Sequence, residues 1–415
     1  MTMRILIVGE IYMSDWYLHL DKRKYSFWGK GLTICSFFTV LSQLPQIVDM
    51  GISSLISKIV WVVFFVLIVS TTKGKASINI QKIIFSIAMM FSYMLFTIIA
   101  SIITNKQYYA TSLFNSVFLS IFIFFIGAYI GKQITKYDCQ MCAIAYLIAS
   151  TILALDLYFT IYRGADISNV VYLYASKNSA GVIVFTAALI AFVYSWKIRS
   201  TFLKISNIAI MAFLIYLVFV MKTRAMIVCI PVVIAIAVIR APFKKRIKVP
   251  IVILCIGLIV LLQNETMYDM LINDIVLGGR TGDLNSVSSG RFEQWLELAD
   301  NMSGNLLIGD GTTEQESLIL TALIQCGLIM GGLIIAYAMW PLIYSIYKVR
   351  NNKSYEMFLL LLVSVTYFID AIFEQLAPFG PGARCFYLWL MFGILLVKNN
   401  KGEIIDERKK YKGID

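Results

Sequence analysis

The sequence is poor in the residues on which many soluble enzymes depend. It has one histidine, His19, among 415 residues, and charged residues make up only 14% of the chain. A single histidine nearly excludes a metal site of several imidazoles or a Ser-His-Asp triad. The seven cysteines are scattered, nearly all within apolar runs, which gives no sign of a redox centre. We therefore expect neither a metal nor a cofactor.

Long polar stretches are also scarce. Hydrophobic residues make up 59% of the chain, and the mean hydropathy is +0.79. Continuous apolar runs near 20 residues recur along the whole length, a pattern typical of membrane-spanning helices rather than of the alternating strands of a β-barrel. The first apolar run, 5–8, is too short for a cleavable signal peptide. We predict an all-α, polytopic membrane protein with one transmembrane domain, 1–397, and a charged cytoplasmic tail, 398–415.

Twelve apolar segments are predicted to span the membrane. Their limits carry an uncertainty of roughly four residues. The predicted spans are 30–48, 54–71, 83–103, 111–131, 140–161, 179–195, 204–221, 225–239, 249–263, 317–345, 356–375 and 383–397.

The lysines and arginines predict the orientation of these spans. If the N-terminus is cytoplasmic, 27 of the 36 Lys and Arg residues fall in cytoplasmic segments. Cytoplasmic loops of membrane proteins carry such an excess, so both termini are predicted inside. The net charge of +12 then reflects basic loops rather than nucleic-acid binding. Two outer loops stand out: 162–178, and the much larger 264–316 between the ninth and tenth spans.

The outer basic residues are few and lie where that rule disfavours them. Arg224 follows a tight turn between two spans, as an interfacial anchor or as a guanidinium that faces a cavity and pairs with an anion. Arg291 begins a predicted short amphipathic helix, where it would pair with a neighbouring glutamate or with a bound phosphate. The other outer basic candidates are Arg163, Lys177 and Arg280.

Four carboxylates near the outer ends of spans are candidates for a site. Glu316, two residues after Glu314, opens the tenth span, where it would stabilise the helix dipole or act as a general base. Asp370 and Glu374 lie four residues apart at the end of the eleventh span, on one helix face. An ion pair of these two with Arg384 is the simplest interpretation of that group.

Several motifs follow one another along the chain in the same order as in the O-antigen ligase and polymerase superfamily, which the sequence therefore resembles. In the ligases a histidine, one polar residue and nine further residues precede a glycine. Glu316 and Ser317 precede Gly327 at that spacing, with Glu in the histidine's place, which favours the Wzy-type polymerases of O-antigen or related surface polysaccharides. The matching features are Arg224, Gly290 and Arg291 with Trp295, the Gly-Asp-Gly turn 309–311, Glu316 with Gly327, the glycine pair 331–332, and the Ser-Lys-Asn-Ser-Ala-Gly segment 176–181.

This resemblance implies a metal-independent glycosyltransferase of lipopolysaccharide biosynthesis at the periplasmic side of the bacterial inner membrane. It would transfer a glycan from undecaprenyl diphosphate to a hydroxyl of a lipid-linked repeat unit. The other partners are membrane lipids, a chain-length regulator and a flippase, and no nucleic acid. Glu316 would be the base, with Arg224 and Arg291 on the diphosphate. Further candidate substrate contacts are Arg163, Lys177, Arg280, Tyr172, Tyr174, Trp295, Glu314 and Arg384.

Two alternatives remain open at this point. A ligase that transfers the finished glycan to lipid A core is the neighbouring activity. A flippase of lipid-linked oligosaccharides belongs to a different class and is often also twelve-spanning. A flippase should carry its charges in a central cavity and show related halves. We find no repeated halves in the sequence, and the lopsided 264–316 loop also argues against a flippase.

Overall fold

The computed structural model describes residues 25–72, 80–105, 111–164, 174, 176–240, 291–296, 298, 306–351, 354–380 and 382–398. In these ranges every regular element is helical and no strand is present, which confirms the all-α prediction. The α-helices are α1 (Phe27–Leu41), α2 (Pro45–Asp49), α3 (Ser53–Thr72), α4 (Ile80–Thr104), α5 (Thr111–Ile130), α6 (Lys136–Leu157), α7 (Lys177–Ser195), α8 (Thr201–Val220), α9 (Arg224–Arg240), α10 (Arg291–Leu296), α11 (Leu318–Asn351), α12 (Tyr355–Phe373) and α13 (Phe386–Val397). A π-helix, Tyr158–Tyr162, extends α6, and a 3-10 turn, Gly382–Cys385, precedes α13.

Eight of these helices are long and apolar enough to cross a membrane, namely α3 to α8, α11 and α12. The chain is therefore a polytopic membrane protein by helix length and composition. Eleven of the twelve predicted spans coincide with a helix, and the ninth, 249–263, lies outside the described residues. The apolar helices α1 and α13 are shorter than a full span. The total of twelve spans stays a prediction.

The first predicted span, 30–48, is wrong as a continuous helix. The structure ends α1 at Leu41 and begins the separate five-residue helix α2 at Pro45. Proline lacks a backbone N–H and its φ suits the first position of a helix, so Pro45 favours a new start over continuation of α1.

The tenth predicted span is a broken helix. Within α11, Gly327 has φ 69° and ψ −179°, far from helical values. A Cβ added at Gly331 would lie 2.5 Å from the carbonyl oxygen of Ala322. Residues nine apart in a straight helix are separated by about 13 Å, so the chain folds back on itself. We call 318–326 the short arm and 328–351 the long arm of this hairpin.

The closest helix packing joins α5 to α13. A Cβ on Gly127 would overlap the carbonyl oxygen of Leu390, and one on Gly393 would overlap that of Phe124. Small residues permit this approach of two backbones, which is a common way for helices to associate in membranes. Beside it, the rings of Tyr337 and Trp389 stack with centroids 5.0 Å apart.

Contacts between helix ends define two faces of the bundle. On one, Asn178 at the start of α7 meets Glu374 after α12, and Gln46 of α2 meets Asp156 near the end of α6. We call this the pocket face, because the pocket described below opens there. On the opposite face, Asp138 caps α6 and holds the start of α1, Lys197 pairs with Glu356, and Lys82 meets the end of α13.

Candidate functional site

A polar pocket of about 300 Å³ lies at the pocket face. It forms where the chain after α12 passes the first turn of α7 and the segment that leads into α11. Six of its eight lining residues are polar or charged, which is unusual for a surface between apolar helices. The lining residues are Asn178, Ser179, Glu316, Phe373, Glu374, Gln375, Leu376 and Arg384.

Arg384 supplies the cation of this pocket. It lies in the 3-10 turn before α13, and its side chain is only 1% exposed. One guanidinium nitrogen, Nη2, pairs with Asp370, and Nη1 lies 3.5 Å from an oxygen of Glu374. The expected ion pair is therefore present. The third nitrogen, Nε, is buried and has no hydrogen-bond partner in the structure.

The residues after α12 are fixed by backbone contacts. The indole of Trp389 donates to the carbonyl of Pro378 at 2.7 Å, and Ser120 donates to the carbonyl of Phe379 at 2.8 Å. Tyr367 donates to the carbonyl of Arg384 itself. The connection from α12 to α13 is thus anchored to α5, α12 and α13, and it holds the guanidinium in a set position.

Side-chain hydrogen bonds join three segments at the pocket. The amide of Asn178 donates to Glu374 over 2.6 Å, which links α7 to the end of α12. The amide of Gln375 donates to Glu314 over 3.2 Å, which links the same connection to the segment before α11. Glu314 is not among the lining residues, so it belongs to the outer edge of the site rather than to its interior.

Glu316 lines the pocket and is exposed to solvent. Its neighbour Ser317 is buried and donates to the carbonyl of Ala371 at 3.5 Å, which fixes the chain against α12. Thr321 both accepts from the amide of Gln315 and donates to its carbonyl. The carboxylate is therefore held immediately before the short arm of α11 and faces the lining that carries Arg384.

The Gly-Asp-Gly turn supports the same segment. Gly309 and Gly311 have φ of 76° and 75°. The amides of Asp310 and Gly311 donate to the carbonyls of Ile324 and Gln325, which the break at Gly327 leaves without helical partners. The turn is thereby docked on the end of the short arm, and this placement explains why the sequence needs glycine on either side of Asp310.

Two of the predicted cations lie beside the pocket rather than in its lining. Lys177 is the first residue of α7 and Arg224 the first residue of α9. The start of α7 brings both cations close to the pocket. Asn178, next to Lys177, lines the pocket, and a Cβ on Gly181 would overlap Thr223, which precedes Arg224. Lys222 in the same turn is buried and has a left-handed backbone, with φ 52°.

Two other predicted residues lie at the end of α6. Arg163 follows the π-helix and is exposed, whereas Tyr174 is buried. Burial raises the pKa of Tyr174, a hydrogen bond with Ser176 lowers it, and the charges of Asp49 and Asp156 raise it further. Neither Arg163 nor Tyr174 contributes to the pocket lining.

The predicted surface helix at Arg291 is present as α10, six residues long. Trp295 is 38% exposed, and Leu298 just beyond α10 packs against Leu320 and Ile324 of the short arm. Arg291 thus begins a helix next to the hairpin, although its side chain lies outside the described part. Arg280 and Tyr172 also lie outside the described residues.

The sequence interpretation missed five of the eight lining residues. Asn178, Ser179, Phe373, Gln375 and Leu376 were not identified as site residues. A signal was present in the polar pair 374–375 followed by two prolines and two glycines within 378–382, because such a stretch cannot continue a spanning helix. In the described part of the chain, no three His, Cys, Asp or Glu side chains are grouped as a metal site requires.

Comparison of this chain with protein-family models and with curated protein sequences gives no match.

Proposed function

We propose that this protein is a membrane glycosyltransferase that polymerises lipid-linked oligosaccharide repeat units. The observation that supports this most directly is the position of Glu316. Its carboxylate lines a polar pocket at the end of a bundle of apolar helices, where a water-soluble glycan and a membrane-embedded lipid can meet. The order of motifs from Arg224 to Gly327, similar to that of the O-antigen polymerases, is the second support.

The proposed reaction is the transfer of a glycan to a hydroxyl. Glu316 accepts the proton of the acceptor hydroxyl, and the acceptor oxygen forms a bond to the anomeric carbon of the donor. The bond between that carbon and the diphosphate oxygen breaks. Undecaprenyl diphosphate leaves with the bonding electron pair, and the proton on Glu316 passes to water. The reaction needs no oxidant, nucleotide or metal to balance.

The leaving diphosphate requires fixed positive charge. Arg224 and Lys177 begin helices on the pocket face, one helical turn from the pocket. Guanidinium groups bind phosphate oxygens through two parallel hydrogen bonds and stabilise charge as it develops. Arg291 at the start of α10 is the third proposed contact, with Arg163 and Arg280 as further candidates.

The proposed location is the bacterial inner membrane with the pocket face on the periplasmic side. The support is the distribution of Lys and Arg, with 27 of 36 on the side opposite the pocket in the twelve-span arrangement. The apolar surfaces of α3, α4 and α8, which are the least enclosed spanning helices, would contact lipid and the polyprenyl chain.

The direct test is a polymerisation assay with purified protein and one defined undecaprenyl-diphosphate-linked repeat unit. Wild-type protein should give a ladder of products. Loss of a general base typically lowers the rate by on the order of a hundred- to ten-thousand-fold, so Glu316→Gln should give no ladder. Glu314→Gln is the matched control at the edge of the site and should stay within about threefold of wild type, since the amide oxygen of glutamine can still accept the exposed hydrogen bond from Gln375. A Glu316→Gln enzyme as active as that control would exclude Glu316 as the base.

A flippase remains the second candidate because of the broken helix. Helix α11, which is broken at Gly327, begins directly after the segment that brings Glu316 into the pocket lining, and broken helices around a binding site are typical of transporters. A deletion strain distinguishes the two. Loss of a polymerase leaves single repeat units on the surface lipid, whereas loss of a flippase leaves none.

A further inference from the structure

We propose that the pocket between α7, α11 and α12 binds one uncharged sugar ring and excludes the diphosphate. The interpretation of this pocket as the site of the acceptor sugar rests on the proposed function. The chemical class of the ligand follows from the residues that line the pocket. The consequence is a division of the site into a neutral, hydroxyl-binding pocket and a separate cationic surface formed around the starts of α7 and α9.

The charge of the lining disfavours an anion. Two carboxylates, Glu316 and Glu374, face one cation, Arg384, among the eight lining residues. The guanidinium is not available as a free positive charge, because Asp370 and Glu374 already pair with it. The lining is therefore negative even before Asp370 is counted. A diphosphate in this pocket would meet repulsion that no described lining residue offsets.

The hydrogen-bonding groups suit a polyol. A sugar hydroxyl both donates and accepts, so it needs acceptors and donors side by side. Glu316 and Glu374 accept, and the guanidinium of Arg384, which lines the same pocket, carries only donors. Asn178 and Gln375 each use an amide donor on a glutamate, which leaves the amide oxygens as acceptors. A site built in this way favours a ligand that carries hydroxyls, because a ligand without them would displace water from these polar groups and leave them unpaired.

The two apolar lining residues fit the rest of a sugar ring. Phe373 and Leu376 lie in the same short stretch as Glu374 and Gln375. The faces of a sugar ring carry C–H groups, which pack on aromatic and aliphatic side chains. The pocket volume of about 300 Å³ is at the lower end of the roughly 300–1,000 Å³ typical of ligand sites, which suits one ring and excludes a polyprenyl chain.

The cationic groups lie next to this pocket but outside its lining. Asn178 faces the pocket, while Gly181 one turn further along α7 packs on Thr223, between Lys222 and Arg224. A diphosphate held by this turn would be a helical turn away from the hydroxyl that Glu316 contacts. The neutral pocket and the cationic groups are thus neighbouring but distinct parts of the pocket face.

The experiment first measures the sign of the electrostatic potential in the pocket and then tests which ligand protects it from modification. A cysteine is introduced at Gln375 in the pocket or, as a control, at the exposed Thr312 on the same face, in the full chain in detergent. The six described native cysteines are buried, and the protein without an added cysteine gives the background rate of modification. Modification rates are compared for methanethiosulfonates that carry a trimethylammonium or a sulfonate group.

We expect the ratio of cationic to anionic rates at Gln375→Cys to exceed that at Thr312→Cys by on the order of tenfold. Adding Glu374→Gln should bring the two ratios close together, which shows that the carboxylate sets the potential. A hexose, a 6-deoxyhexose and an N-acetylhexosamine are then tested as protectants. At least one should slow modification at position 375 threefold or more and leave position 312 unaffected.

Three results would reject the proposal. They are a faster reaction of the anionic reagent at position 375, protection there by inorganic diphosphate, or no protection by any of the three sugars. None of these depends on catalysis, so they are separable from the polymerisation assay. A product ladder without sugar protection would reject the sugar pocket alone, whereas sugar protection without a ladder would reject the polymerase and leave the sugar pocket standing.

Discussion

Helix α12 carries a buried carboxylate at each end, and the two surroundings differ. At its start, Glu356 pairs with Lys197 at 3.1 Å and accepts from Gln140 at 3.3 Å. At its end, Asp370 pairs with Arg384, which also approaches Glu374. Both groups join a carboxylate to a cation from a neighbouring segment. Only the second borders a described pocket.

The difference lies in how completely each cation is satisfied. Lys197 is 25% exposed and lies over the rings of Tyr194 and Tyr355, with centroid distances of 5.0 and 4.6 Å. Glu356 sits in the first turn of a helix, where the dipole favours a negative charge. Arg384 is 1% exposed and keeps one N–H unpaired. Charge that is fully satisfied within the protein stabilises the fold, whereas an unpaired donor beside a cavity is suited to a ligand.

The largest expected effect comes from removal of Arg384. Arg384→Met leaves Asp370 buried without its cation, which typically costs about 3–5 kcal/mol. Lys197→Met should cost only about 1–2 kcal/mol, because Glu356 retains the hydrogen bond from Gln140 and the helix start. Thermal unfolding of both variants in detergent measures the difference. An equal loss of stability in the two would contradict the contrast between the two ends of α12.

The double variant Arg384→Met with Asp370→Leu separates stability from function. Replacing both partners of a buried pair by apolar residues is often close to neutral, so most of the stability should return. Polymerisation should not return, because the donor in the pocket is still missing.

A smaller effect is expected at the break in α11. Gly327→Ala places a side chain on a residue with φ 69° and against the backbone of Leu307, so it should cost roughly 1–3 kcal/mol. Gly332 is the matched control, since a Cβ there meets nothing within 4 Å. Gly332→Ala should leave the melting temperature within about a degree or raise it, because alanine favours a helix. A Gly327→Ala protein as stable as Gly332→Ala would show that the turn at Gly327 is not required.

The smallest effect is expected at the opposite face. Lys82 donates to the carbonyls of Leu396 and Val397, the last residues of α13. A cation at a helix C-terminus contributes about 0.3–1 kcal/mol, so Lys82→Met should lower stability by that amount and leave sugar protection at position 375 intact. Lys58→Met, at an exposed position of α3, serves as the control. A loss of sugar protection in Lys82→Met would mean that the two faces are coupled.

The fold was more predictable than the site. Apolar run length predicted an all-helical, polytopic chain, and eight of the described helices are long and apolar enough to cross a membrane, whose thickness sets the length of a span. The ion pair of Asp370 with Arg384 was also predictable, since buried charges in a membrane need partners. Glu316 and Arg384 were correctly expected near one face, and the structure brings both into one lining.

The features that the sequence did not predict depend on where the chain turns. Apolar composition does not distinguish a straight span from a hairpin, and the reversal at Gly327 follows from backbone contacts with residues near Leu307. Asn178 and Gln375 become pocket residues only because α7 approaches the end of α12, and local sequence does not encode this approach. Polar residues at helix ends are common, so neither residue type nor spacing marked these two.

The packing of α13 on α5 has a consequence for biosynthesis. The groove at Gly127 is filled by backbone around Leu390 near the end of the chain, so α5 is made long before its partner. At about 5–20 residues per second, the ribosome needs on the order of ten seconds or more to complete the intervening sequence. During that interval lipid or an insertion chaperone must cover the groove. A chain truncated before Phe386 would never close it, and we expect cellular quality control to remove such a product.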